Sequence, residues 1–359
     1  MKKILLIGPF PPLFSYGGPT RSIYGIYNSL NNSGYDCQVL SPKKNFDGSD
    51  NIDTNNKKDI IYTENIFLYI LKNYHTYDII WFNSFFEVKI FFLFFLKKLS
   101  NFKLIISPRG QLAKKAISTS NMFLKFQFIK LVRIFKNDIV FHSTESNESK
   151  DIKYNFGTNK IFQISNIFSL IFCENSCYEK KYVFYSRIHK KKGLLILLKN
   201  IHHYNEEVHL DIYGFIEDKV YWKECYKIIR KLKNVKYMGT IDDGDISILK
   251  NKYSFFILPT LNENFGHVIV ELLSIGLIPM ISKGTTPFDS IIGDKIKLNF
   301  SLNKSDELSN KIVQSKNLSN SEMKEMKIKV KIIYNTLDEM QVKVKKDYIN
   351  FINKVSLQS

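Results

Sequence analysis

The chain has little cysteine. Its four residues, Cys37, Cys173, Cys177 and Cys225, form no zinc-type spacing, because Cys173-x3-Cys177 has neither a second pair nor a histidine pair nearby. They read as free thiols of a reducing compartment. A long hydrophobic run is also lacking. The most apolar segment, Trp81 to Leu99, is broken by Glu87 and Lys89, and Ile90 to Leu96 falls well short of a membrane span. The apolar start of the chain ends after Ile4–Ile7 at Gly8-Pro9, too early for a signal peptide, so it reads as a first buried strand and the expected location is cytoplasmic. No Gly-x-Gly-x-x-Gly follows that strand, which speaks against a nicotinamide enzyme. No low-complexity segment stands out, no histidines pair at metal spacing (His202-His203 sits mid-pattern), and no Ser/His/Asp or Cys/His order is legible. In Asp243-Gly244-Asp245 a helix N-cap at Asp245 accounts for the acids more simply than a metal does.

Acidic residues are scarce. There are 34 against 52 Lys and Arg, for a net charge of +18. Part of this fits a general bias, since Asn and Lys abound throughout. Part is local: from Asp78 to Asp138 eleven Lys or Arg face three acids, interleaved with Phe85, Phe86, Phe91, Phe92, Phe94 and Phe95. Basic residues beside exposed aromatics suit an anionic membrane surface. Nucleic acid is not expected, because no recognisable nucleic-acid motif accompanies the charge.

What is present is a buried core in abundance, with 44% hydrophobic residues in a length that suits two domains. Short apolar runs alternate with amphipathic stretches. The expected strands are Ile4–Ile7, Cys37–Leu40, Ile60–Tyr62, Ile79–Phe82, Leu104–Ser107, Ile139–Phe141 and Ile161–Ile164, then Tyr182–Tyr185, Leu210–Tyr213, Val235–Met238, Phe255–Leu258 and Ile278–Ile281. Helical patterns lie near Thr20–Asn31, Phe85–Leu99 and Asn121–Lys136, and a pair of charged helices is expected from Ser321 onward. Buried strands alternating with helices imply parallel sheets covered on both faces. The pattern predicts two doubly wound α/β domains with a cleft between them, 1–168 and 176–335.

Four features carry chemistry. Glu271 is hemmed in by Val268, Ile269, Val270, Leu272, Leu273 and Ile275, so on a helix it has no clean solvent face. A buried carboxylate costs several kcal/mol unless it is hydrogen-bonded or paired. Glu263 stands eight residues earlier, before the Phe265-Gly266 turn that would open the same helix, where free backbone N–H groups favour anions. Arg187 and Lys192 follow a strand end, where ligands bind in open parallel sheets; two cations there would neutralise a diphosphate, although the segment alone also fits a solvated basic loop. Gly17-Gly18 before the first helix would let the backbone approach a ligand.

In order and spacing these residues resemble the family 4 glycosyltransferases, retaining enzymes with the GT-B fold of two Rossmann-like domains facing across a cleft; the resemblance implies that 336–359 is a helix crossing back to the first domain. Glu263-x7-Glu271 with Phe265-Gly266 matches the family's signature, Arg187…Lys192-Gly193 its Arg-x4-Lys-Gly, and Gly17-Gly18 its amino-terminal glycine loop. Met238-Gly239-Thr240-Ile241 resembles the strand that contacts the donor base, and Asp211-Ile212-Tyr213-Gly214 and Leu258-Pro259-Thr260 fit the strands between. One departure is visible: many members carry a histidine beside the transferred sugar, and Ser107-Pro108-Arg109-Gly110 stands there instead. That loop is similar to a subset of bacterial surface-polysaccharide transferases.

The resemblance implies hexosyl transfer from a nucleotide-diphosphate sugar to a saccharide or lipid-linked saccharide in O-antigen, capsule or lipopolysaccharide synthesis. Arg187, Lys192, Glu263 and Arg109 would be catalytic. Gly17, Gly18, Gly214, Ile241, Asn264, Phe265, Gly266, His267 and Glu271 would bind the donor, with Glu271 on the ribose and Glu263 on the sugar. Neither metal nor cofactor is implied, and the anionic inner membrane face is the expected surface partner. A nucleotide-sugar 2-epimerase on the same fold and a non-catalytic glycan-binding module are the competing readings.

Overall fold

The computed structural model describes residues 2–10, 18–43, 59–118, 121–168, 170–201, 208–241, 246–263, 265–304 and 306–357. Gly17, Asn264, His202-His203 and Asp243-Gly244-Asp245 therefore lie outside the described residues. The chain divides into two units, Met1–Phe168 with Gln341–Ser359, and Ser169–Met340.

In the first unit seven parallel strands form one sheet: β1 (Lys3–Ile7), β2 (Asp36–Pro42), β3 (Ile60–Thr63), β4 (Ile79–Phe82), β5 (Lys103–Ile106), β6 (Ile139–Ser143) and β7 (Ile161–Gln163). Their order is β3-β2-β1-β4-β5-β6-β7, so the winding reverses between β1 and β4. Side chains alternate across a strand, which splits the core in two. Ile4, Leu6, Val39, Trp81 and Ile105 pack with α1 (Gly18–Asn31) on one face. Leu5, Ile7, Ile80, Phe82, Leu104 and Phe141 pack on the other with α3 (Lys89–Leu99), α5 (Met122–Ile134) and α6 (Ser146–Phe156). Both faces being buried is the reason these strands read as continuous apolar runs.

In the second unit β8 (Lys181–Tyr185), β9 (His209–Tyr213), β10 (Val235–Gly239), β11 (Phe255–Leu258) and β12 (Ile278–Ile281) are ordered β10-β9-β8-β11-β12. The reversal here falls between β8 and β11. Around the sheet lie α7 (Leu194–Ile201), α8 (Lys219–Ile229), α9 (His267–Ser274), α10 (Asp289–Ile296) and α11 (Glu307–Lys316).

All twelve expected strands form, with ends displaced by two residues at most. Three expectations are corrected. The helix expected from Phe85 begins at Lys89, because the Gln111 side-chain oxygen accepts from the backbone N–H groups of Phe85 at 2.5 Å and Phe86 at 3.2 Å and holds them in a loop. The terminal pair of helices is one helix, α12 (Asn320–Leu357), since no Gly or Pro interrupts it. Up to Met340 it belongs to the second unit and from Gln341 to the first, where Tyr348, Phe351, Ile352 and Val355 are buried against the α1 face. Each such burial is worth about 1.5–3 kcal/mol.

The third correction concerns the aromatics of the basic region. Phe85 and Phe94 are in the core, Phe86, Phe91 and Phe92 are half-buried, and only Phe95 of the six is exposed. The exposed apolar surface lies on α5 instead, where Met122, Phe123, Leu124, Phe126, Leu131 and Ile134 face solvent and only Ile129 and Val132 are buried. No helix among the described residues is long and apolar enough to cross a membrane.

Candidate functional site

The site of the second unit is assembled by the loops that leave β8 and β11, the two strands flanking the reversal of winding, where an open sheet leaves a crevice. After β8 the chain makes a single turn of 3-10 helix over Lys190–Lys192, started by His189, whose Nδ1 accepts from the Lys191 N–H at 3.1 Å. Gly193 ends that turn at φ 75° and passes so close to the loop after β11 that a methyl group there would overlap the Pro259 carbonyl. Only glycine meets both demands at low cost.

The same approach joins the two loops. The Lys191 carbonyl accepts from the Leu261 N–H at 2.8 Å and from the Thr260 hydroxyl at 3.2 Å. Lys192 is thereby set against Glu263, with Nζ 2.5 Å from Oε1, and the Thr260 hydroxyl donates to the same oxygen at 3.1 Å. The loop after β12 holds Glu263 from its other side. Its N–H donates to the Thr285 carbonyl at 2.8 Å, and Ser282 Oγ ties Thr260 O (2.6 Å) to Thr285 Oγ1 (2.7 Å). The pair is only 16% and 15% exposed, so the surrounding protein screens it less than water would.

Arg187 lies on the same loop but pairs elsewhere, with Nη1 2.8 Å from Glu217 Oε2, both about 40% exposed. An ion pair this open contributes little to stability, about 0–1 kcal/mol. Gly214, at φ 150°, sits under this loop, where a side chain would collide with the Ser186 carbonyl. Its N–H donates to the Gly239 carbonyl at 2.8 Å, which aligns the end of β9 with β10 and the half-buried Ile241 beyond it. Gly266, at φ 80°, caps α9. Phe265 is buried against Phe288 and His267, with ring centroids 5.2 and 4.7 Å away. Glu271 stands one turn into α9, 8% exposed, among Ile269, Val270, Leu272 and Leu273.

The first unit builds a second polar centre after β5. Arg109 takes the left-handed conformation, φ 54°, unusual for a residue with a side chain. Its guanidinium donates to Asn83 Oδ1 at 2.6 Å and to Asn166 Oδ1 at 3.0 Å. Beneath it Glu148, 3% exposed, accepts from the Gly110 N–H at 2.7 Å through one oxygen, and from the Thr144 N–H (2.7 Å) and hydroxyl (3.0 Å) through the other. Behind the loop Ser107 Oγ accepts from Trp81 Nε1 at 2.8 Å and meets His142 Nδ1 at 2.8 Å, while His142 Nε2 lies 3.2 Å from the Tyr348 hydroxyl of α12 and 3.1 Å from the Ile164 carbonyl. Burial holds His142 well below its ordinary pKa, and the Arg109 charge lowers it further. Gly18 opens α1 in this unit.

The structure thus brings Lys192, Glu263, Gly193 and Gly266 together and gives Arg187 a partner, Glu217, that sequence reasoning missed. Thr260 and Thr285 were missed as well. So were Asn83, His142, Glu148, Asn166 and Tyr348; Glu148 shares its buried helix face with Ile152, Asn155 and Phe156, a mixed face that does not single it out.

Residues 176–330, within the second unit, match the family model for glycosyl transferases group 1. Solved structures share the whole fold, which is GT-B. HepE from Anabaena, solved in complex with UDP and glucose, is 15% identical and matches with a TM-score of 0.76 over 99% of this chain and 100% of its own. Sucrose-phosphate synthase from Thermosynechococcus elongatus is 13% identical, with a TM-score of 0.71 over 98% and 100%. WaaG, a glycosyltransferase involved in lipopolysaccharide biosynthesis, is 10% identical, with a TM-score of 0.64 over 93% and 95%. No curated protein matches the chain by sequence.

Proposed function

We propose that the protein is a retaining, metal-independent glycosyltransferase that moves a hexose-type sugar from a nucleotide-diphosphate sugar to a hydroxyl of a saccharide or lipid-linked saccharide in surface-polysaccharide synthesis. The observation that carries this reading is the Lys192–Glu263 pair at the reversal point of the second sheet, with Gly193, Gly214 and Gly266 opening the backbone around it. Lys192 and Arg187 meet the diphosphate. Glu263 holds hydroxyls of the sugar, Glu271 the ribose, and the Phe265–His267 segment, with Asn264, Gly214 and Ile241, the remainder of the donor. Gly17, Gly18 and Arg109 act from the first unit, Arg109 as the cation beside the sugar.

In the reaction the bond between the anomeric carbon and the phosphate oxygen breaks, and a bond to the acceptor oxygen forms on the same face. A departing phosphate oxygen takes the acceptor proton. Negative charge grows on the diphosphate as it leaves, and fixed cations are an effective way to stabilise it. HepE, with its UDP-glucose complex, supports a nucleotide-sugar donor, and WaaG supports the pathway class. The basic, apolar α5 region supports work at the cytoplasmic face of an anionic membrane.

The test is a transfer assay with purified protein, taking as donor the nucleotide sugar that most raises the melting temperature. Transfer or hydrolysis of that donor is expected. Epimerisation of the donor without any acceptor would assign the competing enzyme, and inertness toward every nucleotide sugar would leave only a binding module.

A further inference from the structure

The first sheet has a concave feature at the end opposite the Arg109 loop. Strands β5, β6 and β7 lie side by side, and their beginnings gather residues from four separate elements. Lys97 comes from the last turn of α3, Lys103 is the first residue of β5, Asn137 and Asp138 precede β6, and Lys160 precedes β7. With Asn101 they line a polar cavity of about 490 Å³.

The charges in this cavity do not balance. Three ammonium groups share it with one carboxylate, and among the described residues no ion pair within 4 Å joins Asp138 to any of them. Lys97 Nζ donates to the Phe102 carbonyl at 3.2 Å and Lys160 Nζ to the Asn137 carbonyl at 2.7 Å, so both are aimed by the backbone rather than neutralised. Burial holds Lys97 below its ordinary pKa. Asp138 opposes that effect, and the charges of Lys103 and Lys160 add to it, so the three lysines act in one field. Gathering like charges in a concave, partly desolvated space is unfavourable unless an anion joins them. The flexible donors and side-chain amides suit a tetrahedral anion with several acceptor oxygens.

We propose that this cavity binds a phosphate group, free or as the headgroup of an anionic lipid, through Lys97, Lys103 and Lys160. Two exposed apolar residues stand close to the lining residues in sequence: Leu99, which precedes Ser100, is 61% exposed, and Ile134, three residues before Asn137, is 72% exposed. Exposed apolar side chains near a phosphate site favour a lipid headgroup as its source, because they can enter the acyl boundary. The inference does not depend on the glycosyltransferase reading.

The test uses the full-length protein and two probes at low salt, inorganic phosphate followed by calorimetry, and sedimentation with phosphatidylglycerol vesicles in phosphatidylcholine. The cavity variant is Lys103→Gln/Lys160→Gln. Lys98→Gln/Lys153→Gln makes the same charge change on exposed positions outside the cavity. Saturable binding by the wild type, weakened by about tenfold or more in the cavity variant and about twofold or less in the control, supports the site. Binding of phosphate alone assigns a soluble ligand, and binding of vesicles assigns a headgroup. No saturable binding of either probe, or an equal loss in both variants, overturns it. Lys103→Gln alone is the fallback where the double variant unfolds, because among the described residues the Lys103 ammonium makes no hydrogen bond or ion pair that folding would lose.

Discussion

Lys192→Ala separates the chemical role of the cation from its structural one. In the structure Lys192 Nζ is 2.5 Å from Glu263 Oε1, and the pair is about one-seventh exposed. Removing the ammonium leaves Glu263 with the Thr260 hydroxyl at 3.1 Å as its side-chain partner. An underpaired, largely buried carboxylate costs about 1–3 kcal/mol, or roughly 2–4 °C in melting temperature per kcal/mol for a unit of this size. If Lys192 acts on the leaving diphosphate as proposed, the catalytic loss is larger. A cation about 4 Å from an oxygen that gains one charge contributes roughly 4 kcal/mol at an effective dielectric near 20. Each 1.36 kcal/mol is about a decade in rate. Residual screening trims that figure, so the expected fall in turnover is about 10²–10³-fold.

The control is Glu263→Gln, which breaks the pair and keeps the cation. If Lys192 merely holds Glu263 in place, both variants and their double lose the same turnover. If it stabilises the leaving group, Lys192→Ala loses far more than Glu263→Gln, and the excess shrinks with a donor whose leaving group is intrinsically better. Steady-state transfer with two such donors decides the matter. Turnover in Lys192→Ala within about twofold of wild type at saturating donor, a far smaller loss than removal of a transition-state contact brings, would refute the leaving-group role.

Gly193→Ala forces a methyl group onto the Pro259 carbonyl at a left-handed position, so chemical denaturation should show a loss of at least about 1–3 kcal/mol together with reduced turnover. Glu271→Ala should raise KM for the donor more than it lowers kcat, as expected of a binding contact; the reverse pattern would move Glu271 into the chemistry. Glu148→Gln turns an amide toward donors that now meet a carboxylate oxygen, and thermal unfolding should register about 1–3 kcal/mol. His142 is neutral in the folded state, with its pKa depressed from 6.5. Below about pH 6.5 the unfolded chain takes up a proton that the folded chain refuses, so stability should fall by about 1.4 kcal/mol per pH unit as the pH drops toward the folded pKa. Glu145 and Asp151, whose pKa values are raised by burial, act in the opposite sense, so the slope is read as the difference between wild type and His142→Gln.

The strands were legible because both faces of each sheet are covered. β1, β4, β11 and β12 are entirely or almost entirely buried, and runs such as Phe255–Leu258 admit no polar residue. Helix limits were less legible where a distant side chain decides them. Gln111 holds Phe85 and Phe86 out of α3 from 26 and 25 residues away, and no local pattern announces that. The same limit applies to the aromatic helix α3. Period and composition could not say which of its phenylalanines meet the sheet, and the exposed apolar face emerged one helix later, on α5, whose neighbours cover only Ile129 and Val132.

Within the site, legibility followed a physical divide between backbone and side-chain demands. Gly193, Gly214 and Gly266 were visible as glycines because each meets a conformation or an approach that a Cβ resists, and such demands leave a mark at one position. The partners of charged groups leave no comparable mark. Glu217 sits in an ordinary polar loop, and nothing in its surroundings in sequence points to Arg187, thirty residues earlier. Arg109 shows both sides of the divide. Its left-handed φ and the Gly110 that follows belong to one sharp turn, yet the turn is held by Asn83, Glu148 and Asn166, which reach it from three other loops and helices. A strained residue persists only where its surroundings over-determine it. The number of partners spent on Arg109 is therefore an argument that the position of its guanidinium, rather than the stability of the loop, is what this part of the fold specifies. Arg109→Lys tests that argument. It keeps the charge and gives up the fork that reaches both Asn83 and Asn166, so turnover should fall by more than thermal stability does.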